Sequence, residues 1–229
     1  MVLSVLAVAD TVSAPLYDHF CPERWGHIDL VLSAGDLPPE YLDFLCSSLN
    51  VPVLYVRGNH DGTFTDVRYA GSEDIHGRMV TVNGLRIAGF EGCHWYNGGK
   101  HQYTEEAMAR LVRRVDRQVR RDGTPDIVLT HAAPAGCHDA ADPCHQGFIC
   151  FREAIDRWQP AYFIHGHVHA YNGQCSPARV GSTSVINAYP FHVFEVHPPA
   201  ESSYGVTGSQ WWRQARRSIF GQHSAAPSS

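Results

Sequence analysis

The chain has 229 residues, of which 44% are hydrophobic and 18% are charged, and its formal net charge at pH 7 is -5. This length and composition are typical of a globular protein with one substantial core. The net negative charge offers no broad attraction to a phosphate backbone, so the composition disfavours a nucleic-acid polymer as partner.

Three short apolar runs in the first quarter of the chain predict strands that are buried on both faces of a parallel sheet. They span residues 2–9, 28–34 and 51–56. Between the last two, Pro38 and Pro39 open a segment with apolar residues at helical spacing, which predicts a β-α-β unit. The first run lacks a basic start and ends at Asp10, which favours a strand over a signal peptide. No apolar run reaches the roughly 20 residues that span a bilayer, so we expect a soluble protein without a membrane partner.

The middle of the chain predicts a hairpin followed by a helix. Residues 79–82 and 85–88 flank the pair Asn83-Gly84, which is the strongest short-range hairpin signal. Thr104 then precedes acidic residues and an apolar stripe at helical spacing, which predicts an amphipathic helix. Antiparallel strands therefore join the parallel ones.

The second half predicts further strands, one helix and a terminal extension. The elements are a strand at 126–130, a helix at 148–158 and strands at 161–164, 183–188 and 191–197. We predict one domain over residues 1–198 and a partly disordered C-terminal extension over 199–229. The Trp-rich part of that extension is expected to pack on the domain, with a contact in a homo-oligomer as the second alternative and membrane-surface attachment as the third.

The seven cysteines form an odd set without a Cys-x-x-Cys pair, which argues against a disulfide framework. We therefore expect reduced thiols and a cytoplasmic location. Two Cys-His pairs, Cys137-His138 and Cys144-His145, lie in the loop after residue 131. A structural zinc site and a rim of the active site are the alternatives, and the spacing favours the rim.

Polar clusters directly follow the predicted strands. They contain the candidate metal ligands Asp10, Asp36, Asn59, His131, His167 and His169. Because open α/β folds bind ligands at the carboxyl ends of their strands, we expect these side chains to share one rim. Mixed carboxylate, amide and imidazole donors suit Mn, Fe or Zn and disfavour a site for Mg alone. Asp36 is suited to bridge two ions because a carboxylate has two oxygens.

Each cluster alone has a simpler explanation. An Asp after a strand often caps the next helix, a Gly-Asn pair often forms a turn, and a His at a strand end is often merely solvated. Four clusters in register at strand ends favour a metal centre. Within one of them, His60 is predicted to aim a proton at the leaving oxygen, and Asp61 to accept the other ring N–H of His60.

The order of these clusters resembles the motif pattern of the calcineurin-like metallophosphoesterase superfamily over residues 2 to about 197. The motifs are Asp10, Gly35-Asp36, Gly58-Asn59-His60-Asp61, Thr130-His131 and Gly166-His167-Val168-His169. The resemblance implies an α/β fold, a four-layer αββα sandwich of two mixed sheets. It also implies a metal-dependent phosphoesterase that hydrolyses a small phosphomonoester or phosphodiester through a metal-bridging hydroxide, with His60 assisting the leaving group.

The resemblance also implies how the ligands divide between two divalent transition metal ions. Asp10, Asp36 and His169 would bind the first ion, and Asp36, Asn59, His131 and His167 the second. The family pattern usually begins Asp-x-His, whereas here Val12 occupies the position of that His. We therefore predict weaker binding at the first site. Asp18 and His19 are alternative ligands there, although their segment reads equally well as the start of a helix.

Two weaker signals and two rival functions remain. His94, Trp95 and Tyr96 could line a substrate pocket or simply pack in a loop, and Arg57 could reach a phosphate or form a surface ion pair. A non-catalytic metal-binding or scaffolding protein with the same fold is the rival function, favoured by Val12 and opposed by the intact ligands and His60. A metal-dependent amidohydrolase is the other rival. It is disfavoured because the His-x-His pair of such enzymes follows the first strand, whereas here the pair lies late in the chain, at residues 167–169.

Overall fold

The computed structural model describes residues 2–61, 71–169 and 177–199. Within these ranges the strands are β1 (Leu3–Val8), β2 (Leu30–Ser33), β3 (Val53–Tyr55), β4 (Ser72–Asp74), β5 (Arg78–Val82), β6 (Leu85–Phe90), β7 (Cys93–His94), β8 (Gln102–Tyr103), β9 (Ile127–Thr130), β10 (Tyr162–His165), β11 (Ala178–Val180), β12 (Thr183–Asn187) and β13 (Phe191–Val196). The α-helices are α1 (Pro22–Trp25), α2 (Pro39–Leu49), α3 (Glu105–Asp122) and α4 (Ile149–Trp158).

Most strands belong to two large sheets. One sheet has five strands in the order β13-β1-β2-β3-β4, and the other has six in the order β11-β12-β10-β9-β6-β5. The inner strands β1, β2 and β3 are parallel, as are β6, β9, β10 and β12. Strands β13, β11 and β5 pair antiparallel at the margins. Both sheets are therefore mixed, as predicted.

Three apolar clusters separate four layers of the molecule. The cluster between the two sheets combines Val5 and Leu30 of the first sheet with Ile87 and Leu129 of the second. A second cluster packs α3 and α4 on the outer face of the six-stranded sheet, and a third packs α2 on the five-stranded sheet. Full burial of each large apolar side chain contributes about 1.5 to 3 kcal/mol. The predicted αββα sandwich is confirmed.

Local sequence explains the elements that were predicted. Asn83 and Gly84 have φ of 51° and 81°, the left-handed conformation that a tight turn between twisted strands requires. The Thr104 hydroxyl accepts a hydrogen bond from the Ala107 backbone N–H at 3.2 Å, which caps α3. The predicted strands and helices are present with boundaries that differ by one or two residues at most positions.

Some elements carry no recognisable sequence signal. Strand β4 has the sequence Ser-Glu-Asp, residues that are depleted in or neutral for strands, and it is extended because it pairs with β3. Strands β7 and β8 are two residues each and form a separate two-stranded sheet. Tertiary pairing overrides local preference in these segments.

Within the ranges above, none of the helices combines the length and the hydropathy that a membrane crossing requires. The C-terminal extension from residue 200 onward lies outside the described residues, so the predictions for its packing stay predictions.

Candidate metal centre

The candidate ligands follow the carboxyl ends of parallel strands from both sheets. Asp10 and Asp36 follow β1 and β2 of the five-stranded sheet, and His131 and His167 follow β9 and β10 of the six-stranded sheet. The two rims meet, because the His167 backbone N–H donates to Asp10 Oδ2 at 3.0 Å. The site therefore spans the junction of the two sheets.

Three candidate ligands have left-handed backbone conformations. The φ angles are 63° at Asp10, 56° at Asp36 and 66° at His167. This conformation costs a non-glycine residue roughly 1 to 2 kcal/mol. It persists only where surrounding contacts determine it, and such residues cluster at functional sites.

Two glycines lie so close to candidate ligands that a Cβ atom in their place would overlap the ligand side chains. A Cβ at Gly58 would lie 2.1 Å from Asp36 Oδ1 and 2.6 Å from His131 Cε1. A Cβ at Gly166 would lie 2.7 Å from Asp10 Oδ2. The glycines of the motifs are thus required by close approach of these side chains.

The ligands predicted for the second metal lie together. Asp36, His131 and His167 each present one donor atom, and these atoms lie within 4.8 Å of one another. His131 Nε2 is 3.3 Å from Asp36 Oδ2 and 3.1 Å from Asn59 Oδ1. A negative oxygen, a neutral oxygen and two imidazoles fit a divalent transition metal ion.

Hydrogen bonds to backbone carbonyls orient both imidazole rings. His131 Nδ1 lies 2.7 Å from the Ala34 carbonyl oxygen, and His167 Nε2 lies 2.7 Å from the Cys144 carbonyl oxygen. A nitrogen that donates to a carbonyl carries a proton, so the other nitrogen of each neutral ring keeps its lone pair. Metal-binding histidines are held in this way.

Electrostatics at the second position favours a cation. Burial alone would lower the pKa of His131, but the adjacent Asp36 carboxylate raises the pKa of that ring to about 9. Burial alone would raise the pKa of Asp36, but His131 holds it at about 2. In the metal-free protein, a proton on His131 thus partly neutralises the negative charge of Asp36. A bound metal ion would balance the same charge.

The ligands predicted for the first metal are less closely gathered. Asp10 Oδ1 lies 3.6 Å from His169 Nε2, and the His169 side chain is 39% exposed and stacks on the Tyr189 ring. Burial, with a contribution from Asp36, raises the pKa of Asp10. Val12 packs against the apolar cluster beneath α2. Its position therefore contributes no donor to the rim.

Asp18 and His19, the alternative ligands for this site, are both exposed. No described contact joins either side chain to Asp10. The prediction of weak binding at the first position stays a prediction.

His60 and Asp61 are neighbours in sequence, but His60 is exposed and Asp61 is buried. The His60 backbone N–H donates to Asp36 Oδ1 at 2.8 Å, while the residue itself is exposed. Asp61 is buried, and its Oδ2 accepts the backbone N–H groups of Asp36 and Gly58, each at 2.8 Å. Burial raises the pKa of Asp61 to about 6.

No hydrogen bond between Asp61 and the His60 ring is among the described contacts, so that expected contact stays a prediction. A buried carboxylate needs hydrogen-bond donors, and two backbone N–H groups supply them. Asp61 joins the loops that follow β2 and β3.

The surrounding loops supply contacts that the sequence identified only in part. The Tyr96 hydroxyl lies 3.2 Å from Asn59 Nδ2, which leaves Asn59 Oδ1 directed at His131. Cys144 lies beside His167, so the loop with the two Cys-His pairs forms a rim of the site, as favoured above. Cys93 also approaches this site, and no sequence feature singled it out.

Comparison with known proteins places the chain in a family. The sequence profile of the calcineurin-like phosphoesterases matches residues 9–171, and the chain belongs to that family. Members of this family are generally hydrolases and typically bind divalent metals.

The curated relatives that the chain resembles are distant. The lariat debranching enzyme of Drosophila melanogaster is 27% identical over 199 residues, which cover 62% of this chain and 37% of that protein. The lariat debranching enzyme of Drosophila pseudoobscura pseudoobscura is 26% identical, with 69% of this chain and 41% of that protein covered. The chain thus spans about two fifths of the length of these enzymes.

Two further proteins are matched over a larger share of their own length. A UPF0046 protein of Caenorhabditis elegans is 25% identical over 214 residues, which cover 81% of this chain and 69% of that protein. The crystal structure of TT1561 of Thermus thermophilus superimposes with a TM-score of 0.57 at 17% identity, covering 82% of this chain and 89% of that one. The structural likeness shows the fold.

Proposed function

We propose that this protein is a metal-dependent phosphohydrolase that cleaves a small phosphomonoester or phosphodiester. The observation that carries the proposal is the convergence of Asp36, Asn59, His131 and His167 at one rim. The donor sets suit two divalent transition metal ions, Mn, Fe or Zn, with the second position the stronger. When bound, such ions supply Lewis-acid polarisation of phosphoryl oxygens and lower the pKa of water to make a nucleophile.

The protein's own side chains have separate tasks in this proposal. Asp36 would be shared between the two positions, with one oxygen already turned toward His131. Asn59, fixed by Tyr96, would offer a neutral oxygen. His60 is exposed beside Asp36, so its ring would donate a proton or hydrogen bond to the departing oxygen.

A small substrate is proposed because the net charge of -5 does not favour a polymeric phosphate backbone. The activity in the name of the debranching enzymes is not carried over, because this chain spans only about two fifths of their length. A phosphodiester remains one of the two proposed substrate classes.

A substrate panel tests the proposal. The full chain would be stripped of metal, resupplied with Mn, Zn or Mg, and assayed against phosphomonoesters and phosphodiesters. We expect no hydrolysis by the stripped protein and turnover with Mn. Absence of hydrolysis from every metal-loaded form, with ions demonstrably bound, would contradict the proposal.

A non-catalytic metal-binding or scaffolding role is the second candidate. The packing of Val12 in the apolar cluster favours it, because position 12 then lends nothing to the first site. Under this alternative one ion would bind tightly without any turnover across the panel.

A further inference from the structure

Two thiols adjoin the candidate centre on the side of His167. Cys93 begins β7 and is fully buried, and Cys144 lies half-buried in the loop between β9 and α4. The sulfur atoms of Cys93 and Cys144 and one nitrogen of His167 lie within 4.8 Å of one another. Neither cysteine forms a disulfide.

The spacing matches a tetrahedral metal site. Cys144 Sγ lies 3.7 Å from His167 Nε2. Zinc bonds of about 2.3 Å to sulfur and about 2.05 Å to nitrogen, at a tetrahedral angle, separate the two donors by about 3.6 Å. The thiols of Cys93 and Cys144 also contact each other. The three donors thus lie close enough together for one ion to reach them.

Donor type separates this cluster from the neighbouring one. Asp36, Asn59 and His131 offer oxygen and nitrogen, whereas Cys93 and Cys144 offer sulfur. Sulfur donors select thiophilic cations such as zinc and cadmium, while oxygen donors suit manganese. The two clusters therefore prefer different ions although both include His167.

We propose that Cys93, Cys144 and His167 form a binding site for one thiophilic divalent cation, and that this site competes with the second metal position for His167. The competition rests on the proposed function, but the site itself does not.

The competition arises because both sites use the imidazole ring of His167. Nε2 of His167 faces both the Cys144 sulfur and the Cys144 carbonyl. An ion bound at Nε2 replaces the proton there, and a neutral ring then carries its proton on Nδ1. Nδ1 has no lone pair left for the second position. Each cysteine that binds the ion releases its thiol proton to solvent, and no electron is transferred.

Cadmium titration of the metal-stripped full chain tests the site. We expect a thiolate-to-cadmium charge-transfer absorption in the ultraviolet that saturates at one ion. In Cys93→Ser and in Cys144→Ser, the Kd for cadmium should rise by more than about tenfold. Cys46→Ser is the matched control, because this buried thiol lies on α2 across the five-stranded sheet. It should bind as the parent does.

Two outcomes would overturn the site. One is a parent without the charge-transfer band, and the other is a band that persists in the variant lacking both Cys93 and Cys144. Circular dichroism at each step establishes that the variants are folded, and Cys93→Ala serves if the Ser variant is not.

A separate assay tests the competition. With manganese supplied, we expect stoichiometric cadmium to abolish hydrolysis by the parent and to spare Cys144→Ser. Equal inhibition of both proteins would overturn the competition. If no form hydrolyses any substrate, the proposed function fails while the absorption measurement still decides the site.

Discussion

At the scale of single residues, Asp36 contacts three other parts of the candidate centre. Its Oδ2 lies 3.3 Å from His131 Nε2, its Oδ1 accepts the His60 backbone N–H, and its own N–H donates to Asp61. A group with these contacts and a pKa of about 2 is negatively charged at any neutral pH. That charge is what two cations at one rim would share.

Asp36→Asn should weaken the loading of both ions by more than about tenfold, because the amide removes the charge and one acceptor oxygen. Elemental analysis after dialysis against limiting metal measures the loading. Asp156→Asn, on the exposed side of α4, is the control and should load as the parent does. Full loading of Asp36→Asn would remove the bridging role.

His60 contacts the centre through its backbone, so its side chain can be removed without disturbing the ligands. His60→Ala should retain metal and lose about 10² to 10⁴ in turnover, the range for loss of a general acid. Turnover and bound metal are measured on the same sample. His27→Ala removes another exposed imidazole as the control. Equal turnover of His60→Ala and parent would exclude His60 from the reaction.

At the scale of secondary-structure elements, the loops after β2 and β3 act as one unit. Asp61 accepts the N–H groups of both loops, and a Cβ at Gly35 would lie 2.4 Å from the Gly58 nitrogen. A Cβ at position 35 would overlap the Gly58 backbone, so this close approach of the two loops requires glycine at position 35. The strands therefore present their ligands from a rigid edge.

Gly58→Ala should displace Asp36 and His131 and cost about 1 to 3 kcal/mol of stability, because its Cβ would overlap both side chains. Metal loading should fall with it, as measured by elemental analysis beside urea unfolding. Gly181→Ala is the control, because a φ of 60° strains the backbone of an alanine while no atom lies within 4 Å of the added Cβ. It should lower stability and leave metal loading unchanged. Normal loading of Gly58→Ala would contradict the packing argument.

At the scale of the whole molecule, the candidate ligands come from both sheets. Asp10 and Asp36 belong to one sheet edge, and His131 and His167 to the other. An ion held by both edges would link the sheets in the folded state alone. Ligands that bind only the folded state raise its stability.

Metal removal should therefore lower the midpoint of thermal unfolding. At a free metal concentration of 100 times Kd, bound metal raises the free energy of unfolding by about 2.7 kcal/mol. Scans of stripped and manganese-loaded protein measure the difference. Asp36→Asn, with a Kd at least about tenfold higher, should show about half of it or less, whereas Asp156→Asn should show all of it. An unchanged midpoint in the parent at saturating metal would mean that the ion does not bind the folded state preferentially.

Glu91, just after β6, connects segments that are separated along the chain. It is buried, its Oε1 accepts from the Tyr103 hydroxyl at 2.6 Å, and His101 Nδ1 lies 3.0 Å from the same oxygen. Burial alone would raise the pKa of Glu91. Hydrogen bonds from His101 and Tyr103, together with nearby His76, lower the pKa to about 2.

Glu91→Gln should lower the free energy of unfolding at pH 7 by about 1 to 3 kcal/mol. A carboxyl whose pKa is lowered on folding stabilises the protein above its unfolded pKa, and the contribution is lost as pH falls from about 4.5 toward 2. The difference between parent and variant should thus be constant above pH ~5 and shrink below pH ~4.5. Urea unfolding across this range measures it. A difference that grows on acidification would contradict the assignment.

The sequence predicted most helices, strands and turns because each is favoured by residues that lie close together along the chain. The turn at Asn83-Gly84, the cap at Thr104 and the polar residues after β1 and β2 each depend on neighbours within a few positions. The motif order predicted the candidate ligands for the same reason, since each of them lies shortly after the end of a strand.

Contacts between distant segments were decided only by the tertiary structure. His167 and Asp10 are 157 positions apart, and His131 and the Ala34 carbonyl are 97 apart. Packing of the two sheets determines such pairs, as it determines that Asp61 contacts backbone N–H groups and that Cys93 meets Cys144. The order of residues specifies which donors each strand presents. The registration of one sheet on the other specifies which donors meet, because burial of the shared apolar core aligns the two rims.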